Sequence, residues 1–267
     1  MENNQHKITE EEVQVFKNGE VASVGGGEKR DYFLPASIVI AGILIAGAVV
    51  FAIMYKGSST GGSAAQQPTA TSTADVMKLG SRDVILGNAN APVTIIEYGD
   101  YQCPYCNLFF TETQSLIVKN YVDIGKVKMV FRNFIVNDRT SSDHESHNTA
   151  LAAECAKDQN KFWDFHDAVS QLEFKDETAN PQTAENNGNL NRDAFMNIAK
   201  TLGMDQNKFA SCFDSGQYSS NIQQESDQAI KYGITATPTF FINGQQVVGA
   251  LPYAQFKTAI DSFLNGQ

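Results

Sequence analysis

The chain has 267 residues, 42% of them hydrophobic and 19% charged. That is long enough for one or two domains with a sizeable core, and too apolar for a wholly disordered chain. Twenty basic against thirty acidic residues leave a net charge of −10, so no nucleic-acid partner is expected, because phosphate binding calls for a basic surface. The four cysteines fall into one close pair and two that stand alone.

Residues 1–32 are polar and acidic and read as a tail without a core. Phe33 to Tyr55 then give 23 residues without a charge, roughly 34 Å as a helix against a hydrocarbon layer of about 30 Å. A buried soluble helix of this length would carry a polar stripe, and the apolar core of a cleaved signal peptide is usually shorter. The segment therefore predicts one transmembrane helix, with the lipid bilayer as a partner. Lys29 and Arg30 precede it and Lys56 follows it, which places the N-terminus in the cytoplasm and the rest outside. Residues 56–75 are rich in Gly, Ser, Thr and Ala and read as a flexible linker. The folded part is expected at 76–267.

Val93 to Tyr98 is a β-branched run and a strand candidate. Residues 104–121 show helical spacing, and Lys126 to Phe134 alternates with period two. Strand, helix and strand in about 45 residues form a βαβ unit, so a parallel pair is expected. Ser142 or Asp143 is a cap candidate for a helix to about Lys157, and Lys161 to Phe174 repeats apolar residues at helical spacing. Trp163 and the phenylalanines around it are most simply core. Residues 175–190 read as a polar loop. Helices resume near Arg192–Leu202, Gln206–Asp214 and Ser219–Tyr232. Thr239–Ile242 and Gln245–Val248 flank Asn243-Gly244, the strongest short signal for a hairpin. A last helix covers Tyr253–Leu264.

Cys103-Pro104-Tyr105-Cys106 follows the first strand and opens the first helix. A thiol there faces unpaired N–H groups and the positive end of the helix dipole, and both favour thiolate. Pro104 suits the first helical position, where no N–H is needed. Cys106 lies one turn on, within reach of a disulfide with Cys103. A zinc site would need two more ligands nearby, and Cys155 and Cys212 are single and distant. A purely structural bridge rarely spans two residues, since bridges gain most over long loops. No metal and no cofactor are expected. His144 and His147 are read as part of a solvated first helical turn.

The stretches EYGDYQCPYC, AAECAKDQNKFWDFHDAV and ATPTFFINGQQVVGALPY together resemble the DsbA-like thiol–disulfide oxidoreductases over about residues 76–267. The resemblance implies an α/β, thioredoxin-like fold: a central mixed sheet flanked by helices, with an all-helical insertion at about 141–232. It also implies that Cys103 is the exposed attacking thiol and Cys106 the buried resolving thiol. Thr237 and Pro238 match the family's cis-proline loop, whose backbone is free to pair with an extended substrate. It implies a second, structural disulfide between Cys155 and Cys212, the alternative being two buried free thiols. Asp100 and Tyr101 would shape the rim of the site. Tyr105 departs from the histidine of the best-known oxidases, which puts the direction of electron flow in doubt.

Glu97 lies six residues before Cys103, on the same strand face as Val93 and Ile95. A carboxylate there is costly unless it is near the surface or has a role. Thioredoxin-fold enzymes place a buried acid at that offset, so Glu97 is expected to have a raised pKa and to move protons at Cys106. The leading expectation is a dithiol oxidase acting on reduced or unfolded protein chains and reoxidised by a membrane quinone-linked partner. A reductase running the other way, and a non-catalytic module that binds extended chains, are the alternatives.

Overall fold

A computed structural model describes residues 73–140, 144–180, 182 and 184–266. The apolar segment Phe33–Tyr55, the tail before it and the linker up to residue 72 lie outside the described residues. Among the described residues no helix is long and apolar enough to cross a membrane.

After a short helix α1 (Thr73–Val76), five strands form one sheet: β1 (Leu86–Gly87), β2 (Val93–Gly99), β3 (Val127–Asn133), β4 (Thr239–Ile242) and β5 (Gln245–Val248). Their order is β1-β3-β2-β4-β5. β2 and β3 run parallel, and every other neighbouring pair is antiparallel. The sheet is thus mixed, with β2 at its centre. β2 is buried along nearly its whole length, so its run of Val and Ile serves both faces rather than alternating with polar residues. The β4–β5 turn takes positive φ at Asn243 (45°) and Gly244 (94°), the conformation that Asn-Gly allows at low cost. The Asn243 side chain also accepts a 2.8 Å hydrogen bond from the Thr94 N–H, which ties the hairpin to β2.

β2 connects to β3 through α2 (Pro104–Phe109), continued by π-helical turns at Phe110–Gln114 and Val118–Val122 on either side of Ser115–Ile117. The expected single regular helix is therefore widened twice. In each wide turn a side chain competes for a carbonyl four residues back: Thr111 Oγ1 donates to Asn107 O and Asn120 Nδ2 to Leu116 O, both at 2.8 Å.

Among the described residues a 3-10 turn (Asn137–Thr140) and five α-helices lie between β3 and β4: α3 (Glu145–Lys157), α4 (Phe162–Ala179), α5 (Arg192–Thr201), α6 (Gln206–Ser215) and α7 (Ser219–Lys231). α8 (Tyr253–Asn265) closes the fold. α3 begins at Glu145, with His144 in the left-handed region and no cap from its own side chain. Ser142 and Asp143 lie outside the described residues. Two of the first N–H groups of α3 go to Asp138, which accepts from Ser146 N (2.9 Å) and His147 N (2.8 Å). α4 runs five residues into the stretch expected to be loop. Its polar end is held by tertiary and local bonds: Glu177 accepts from Asn107, and Thr178 donates back to Phe174 O.

Three apolar clusters result. Val93, Ile95, Val127 and Met129 pack under the α2 continuation and α8, with Phe109, Ile117 and Phe256. On the other face Ile96, Tyr98, Val130 and Phe241 meet Ala229 and Ile234. The third cluster is the interior of the helical block, around Phe165, Phe195 and Phe209. α7 gives Ile222 to the helical cluster and Ala229 to the sheet, so it joins the two layers.

Candidate active site

The site is built where β2 ends. Gly99 carries the close approach of the strand to β3: a Cβ there would lie 2.5 Å from Phe131 Cε2. The turn that follows is fixed by Asp100, which is fully buried. Its carboxylate accepts from the N–H groups of Gln102 (3.0 Å), Val136 (2.7 Å) and Asn137 (3.0 Å). Its carbonyl accepts from Cys103 N at 3.0 Å. Asp100 and Tyr101 are therefore not rim residues. Both are buried, and Asp100 locks the turn to the segment after β3.

Cys103 is the N-cap residue of α2, in extended conformation, with Pro104 in the first helical position. Its carbonyl accepts from Cys106 N (2.9 Å) and Asn107 N (3.1 Å). Pro104 and Tyr105 are exposed, whereas Cys103 and Cys106 each show only 6% of their surface. The expectation of an exposed Cys103 is thus corrected: the loop before β4 covers it. The Thr237–Pro238 peptide bond is cis, and the Cys103 thiol donates to Thr237 O at 3.4 Å.

The two thiols are free and differ in acidity. A hydrogen bond from the Cys106 thiol, with help from the backbone N–H groups of Cys106 and Tyr105, holds Cys103 below the usual thiol range in spite of partial burial. Burial, and then its role as donor to Cys103, pushes Cys106 well above that range. Glu97 is 3% exposed and sits between Phe131 on β3 and Phe240 on β4. Burial, with a smaller part from the charge of Cys103, pushes its carboxyl up to about 8. Glu97 and Cys106 line the same small cavity. Cys155 and Cys212 are bonded to each other and join α3 to α6.

Three site residues had no role assigned from the sequence. Gln102 spans from the turn to the helical block, donating to Ser146 Oγ (2.9 Å) and accepting from Asn186 N (2.6 Å). Asn107 donates to Tyr101 O (3.0 Å) and Glu177 Oε1 (2.9 Å). His166 lies in the cavity wall beside Cys106. Their place next to the cysteine motif is the signal for the first two. His166 sits sixty residues downstream, and nothing local marks it.

The comparisons with known proteins agree with this geometry. The thioredoxin family model matches residues 80–262. The disulfide bond formation protein D of Bacillus subtilis is 30% identical over 187 residues, which cover 68% of this chain and 78% of that protein. The chain belongs to the DsbA-like thiol–disulfide oxidoreductases. The oxidised crystal structure of BdbD from Bacillus subtilis superposes with a TM-score of 0.59 at 28% identity, over 69% of this chain and 94% of that one. The structure of α-DsbA1 from Wolbachia pipientis gives 0.61 at 26% identity, over 73% of this chain and 97% of that one. Of two longer curated relatives this oxidoreductase spans 25% and 23% of the length.

Proposed function

We propose that this oxidoreductase is a dithiol oxidase, held outside the cytoplasm by the apolar segment Phe33–Tyr55, that introduces disulfides into reduced protein chains through Cys103 and Cys106. One observation carries the reading: two free thiols one turn apart at the start of α2, with Cys103 against the cis Thr237–Pro238 bond, a setting that holds Cys103 below the usual thiol range and Cys106 well above it. A stabilised Cys103 thiolate stabilises the dithiol state, and that makes the disulfide state the stronger oxidant.

The reaction runs in two exchanges. A substrate thiolate attacks Cys103 Sγ of the oxidised pair. A mixed disulfide forms, the Cys103–Cys106 bond breaks, and Cys106 leaves with the electron pair. At neutral pH Glu97 holds a proton and can pass it to the leaving sulfur. A second substrate thiolate then attacks the mixed disulfide. The substrate gains a disulfide, and two electrons remain on Cys103 and Cys106. Thr237, whose carbonyl lies beside Cys103, offers backbone for pairing with an extended substrate segment. A membrane quinone-linked partner would take the electrons away. The names of relatives such as the disulfide bond formation protein D support the oxidising direction.

The test is the reduction potential of the full chain, equilibrated against glutathione. The expected value lies at roughly −120 to −180 mV, the range of oxidising thioredoxin-fold proteins. A value near about −270 mV would make it a reductase. Tyr105 gives the thiolate no positive charge, which is the feature favouring that second direction. Cys103→Ser should abolish exchange in either direction, and activity surviving it would leave only a chain-binding role.

A further inference from the structure

The cavity shared by Glu97 and Cys106 measures about 10 Å³, close to the room one water molecule needs. Its wall does not stop at the sheet. Gln114 from the first π-helical turn, and His166 and Ser170 from α4, complete it. Two polar atoms in this wall, Tyr101 Oη and Gln114 Oε1, are buried without a hydrogen-bond partner. Partnerless buried polar atoms on residues that line a space of that size fit an internal water.

The wall also leads outward. The His166 side chain is 4% exposed, and its Nδ1 lies 3.1 Å from Asp167 Oδ1, whose own side chain is 52% exposed. Gln114 Nε2 steadies the same Asp167 oxygen at 3.4 Å. The imidazole is held upright by rings on several sides, with centroids of Phe131 at 4.8 Å, Trp163 at 5.1 Å and Tyr101 at 5.5 Å. One of its nitrogens therefore serves Asp167 at the surface, and the same residue lines the cavity.

We propose that His166 and Asp167 form a proton path from solvent to Glu97, by way of one water in this cavity. The proposal rests on the reading of Glu97 as the group that exchanges a proton with Cys106. When Glu97 has given its proton to Cys106, the water gives one to Glu97 and takes one from His166. His166 is refilled through Nδ1 from Asp167 and solvent. Reoxidation of the dithiol runs the same path backwards, so no charge stays in the core. His166 never touches a reacting sulfur; it is a positioning residue that acts through Glu97. The ionisable groups around the path are Glu97, Asp100 and Tyr101 from β2 and its turn, Cys106 from α2 and Asp167 on α4. Glu154 on α3 and Glu225 on α7 reach it through Tyr101.

The test is the repeated turnover of the full-length protein between a cysteine peptide and oxidised glutathione, so that Glu97 has to be refilled in every cycle. Rates are followed by stopped flow from pH 5 to 9, at low and high concentrations of imidazole buffer. The wild-type rate should not depend on buffer concentration. His166→Gln should be slower by about tenfold in dilute buffer at neutral pH, below the full worth of a general acid, and should recover as buffer rises. Asp167→Asn, at an exposed position, should show a smaller loss with the same recovery, and it carries the test if His166→Gln does not fold. Unchanged rates, or a loss that buffer does not relieve, would overturn the path, since lost packing alone gives no buffer dependence. Glu97→Gln is run beside them. If it is slow while both path variants are normal, only the path fails. If Glu97→Gln itself exchanges at the wild-type rate, the reading of Glu97 fails and the path with it.

Discussion

Glu97 and Glu173 are two buried carboxyls with the same titration and different surroundings. Burial pushes each from the ordinary 4.5 up to about 8. Between those values the folded protein holds a proton that the unfolded chain has released. Stability must therefore fall as pH rises through that window, and it is greatest on the acid side. Glu97→Gln and Glu173→Gln should each remove part of this slope. The gain in melting temperature over wild type should be small at pH 5 and larger at pH 9, as thermal melts of the reduced protein would show. Kinetics separate the two. Glu97 lines the cavity with Cys106, whereas Glu173 is bonded to Asn189 at 2.9 Å. Glu173→Gln should leave the exchange rate as it is, and Glu97→Gln should slow it. A flat difference across pH for both variants would remove burial as the cause of the shifts.

Where elements begin and end, distant side chains decide as much as local ones. The hairpin at Asn243-Gly244 and the helix starts at Pro104, Arg192 and Gln206 are set by residues adjacent in sequence, and those positions were legible, although the caps Asn191 and Asp205 were not singled out. Asn191 and Asp205 each accept from two N–H groups of the helix that follows. The start of α3 was legible to within a residue or two, but not the part of Asp138, which takes two of its first N–H groups from seven residues before Glu145, in a separate 3-10 turn (Asn137–Thr140). The extension of α4 to Ala179 depends on Asn107, seventy positions away. The widened turns of α2 depend on Thr111 and Asn120, whose bonds to the backbone leave no mark in hydrophobic periodicity. Asp138→Ala should cost about 1 kcal/mol, as loss of a helix cap does, measured by urea unfolding. A loss well below that would mean water replaces the carboxylate at no cost. Gly99→Ala should cost about 1–3 kcal/mol, the usual toll of overpacking, because its Cβ would meet the Phe131 ring, itself packed against His166.

At the scale of the whole chain, the helical block meets the sheet through Tyr101 and Phe131, which belong to the block's own cluster, through Trp163, which packs on two clusters, and through α7, the bonds of Gln102, and Asn107 with Glu177. The βαβ unit and the hairpin made the sheet legible, since each is a local pattern with a fixed geometry. The helical block was legible as helices, not as an arrangement, because nothing in the spacing says which helix meets which. Its one covalent tie is Cys155–Cys212, across a sequence separation of 57. Closing a loop of that length restricts the unfolded chain by about 4 kcal/mol in the chain-entropy model. The tie holds the C-terminal end of α3 to α6, whereas the block reaches the active-site turn through Ser146 at the opposite end of α3 and through Glu177 and Asn186. The double variant Cys155→Ala with Cys212→Ala should therefore lose most of that stability in urea. Its exchange rate in native buffer should stay within about twofold, as expected for independent sites. A large fall in rate with little loss of stability would reverse the argument. The bridge would then act by positioning the helices that brace Cys103, rather than by restricting the unfolded chain.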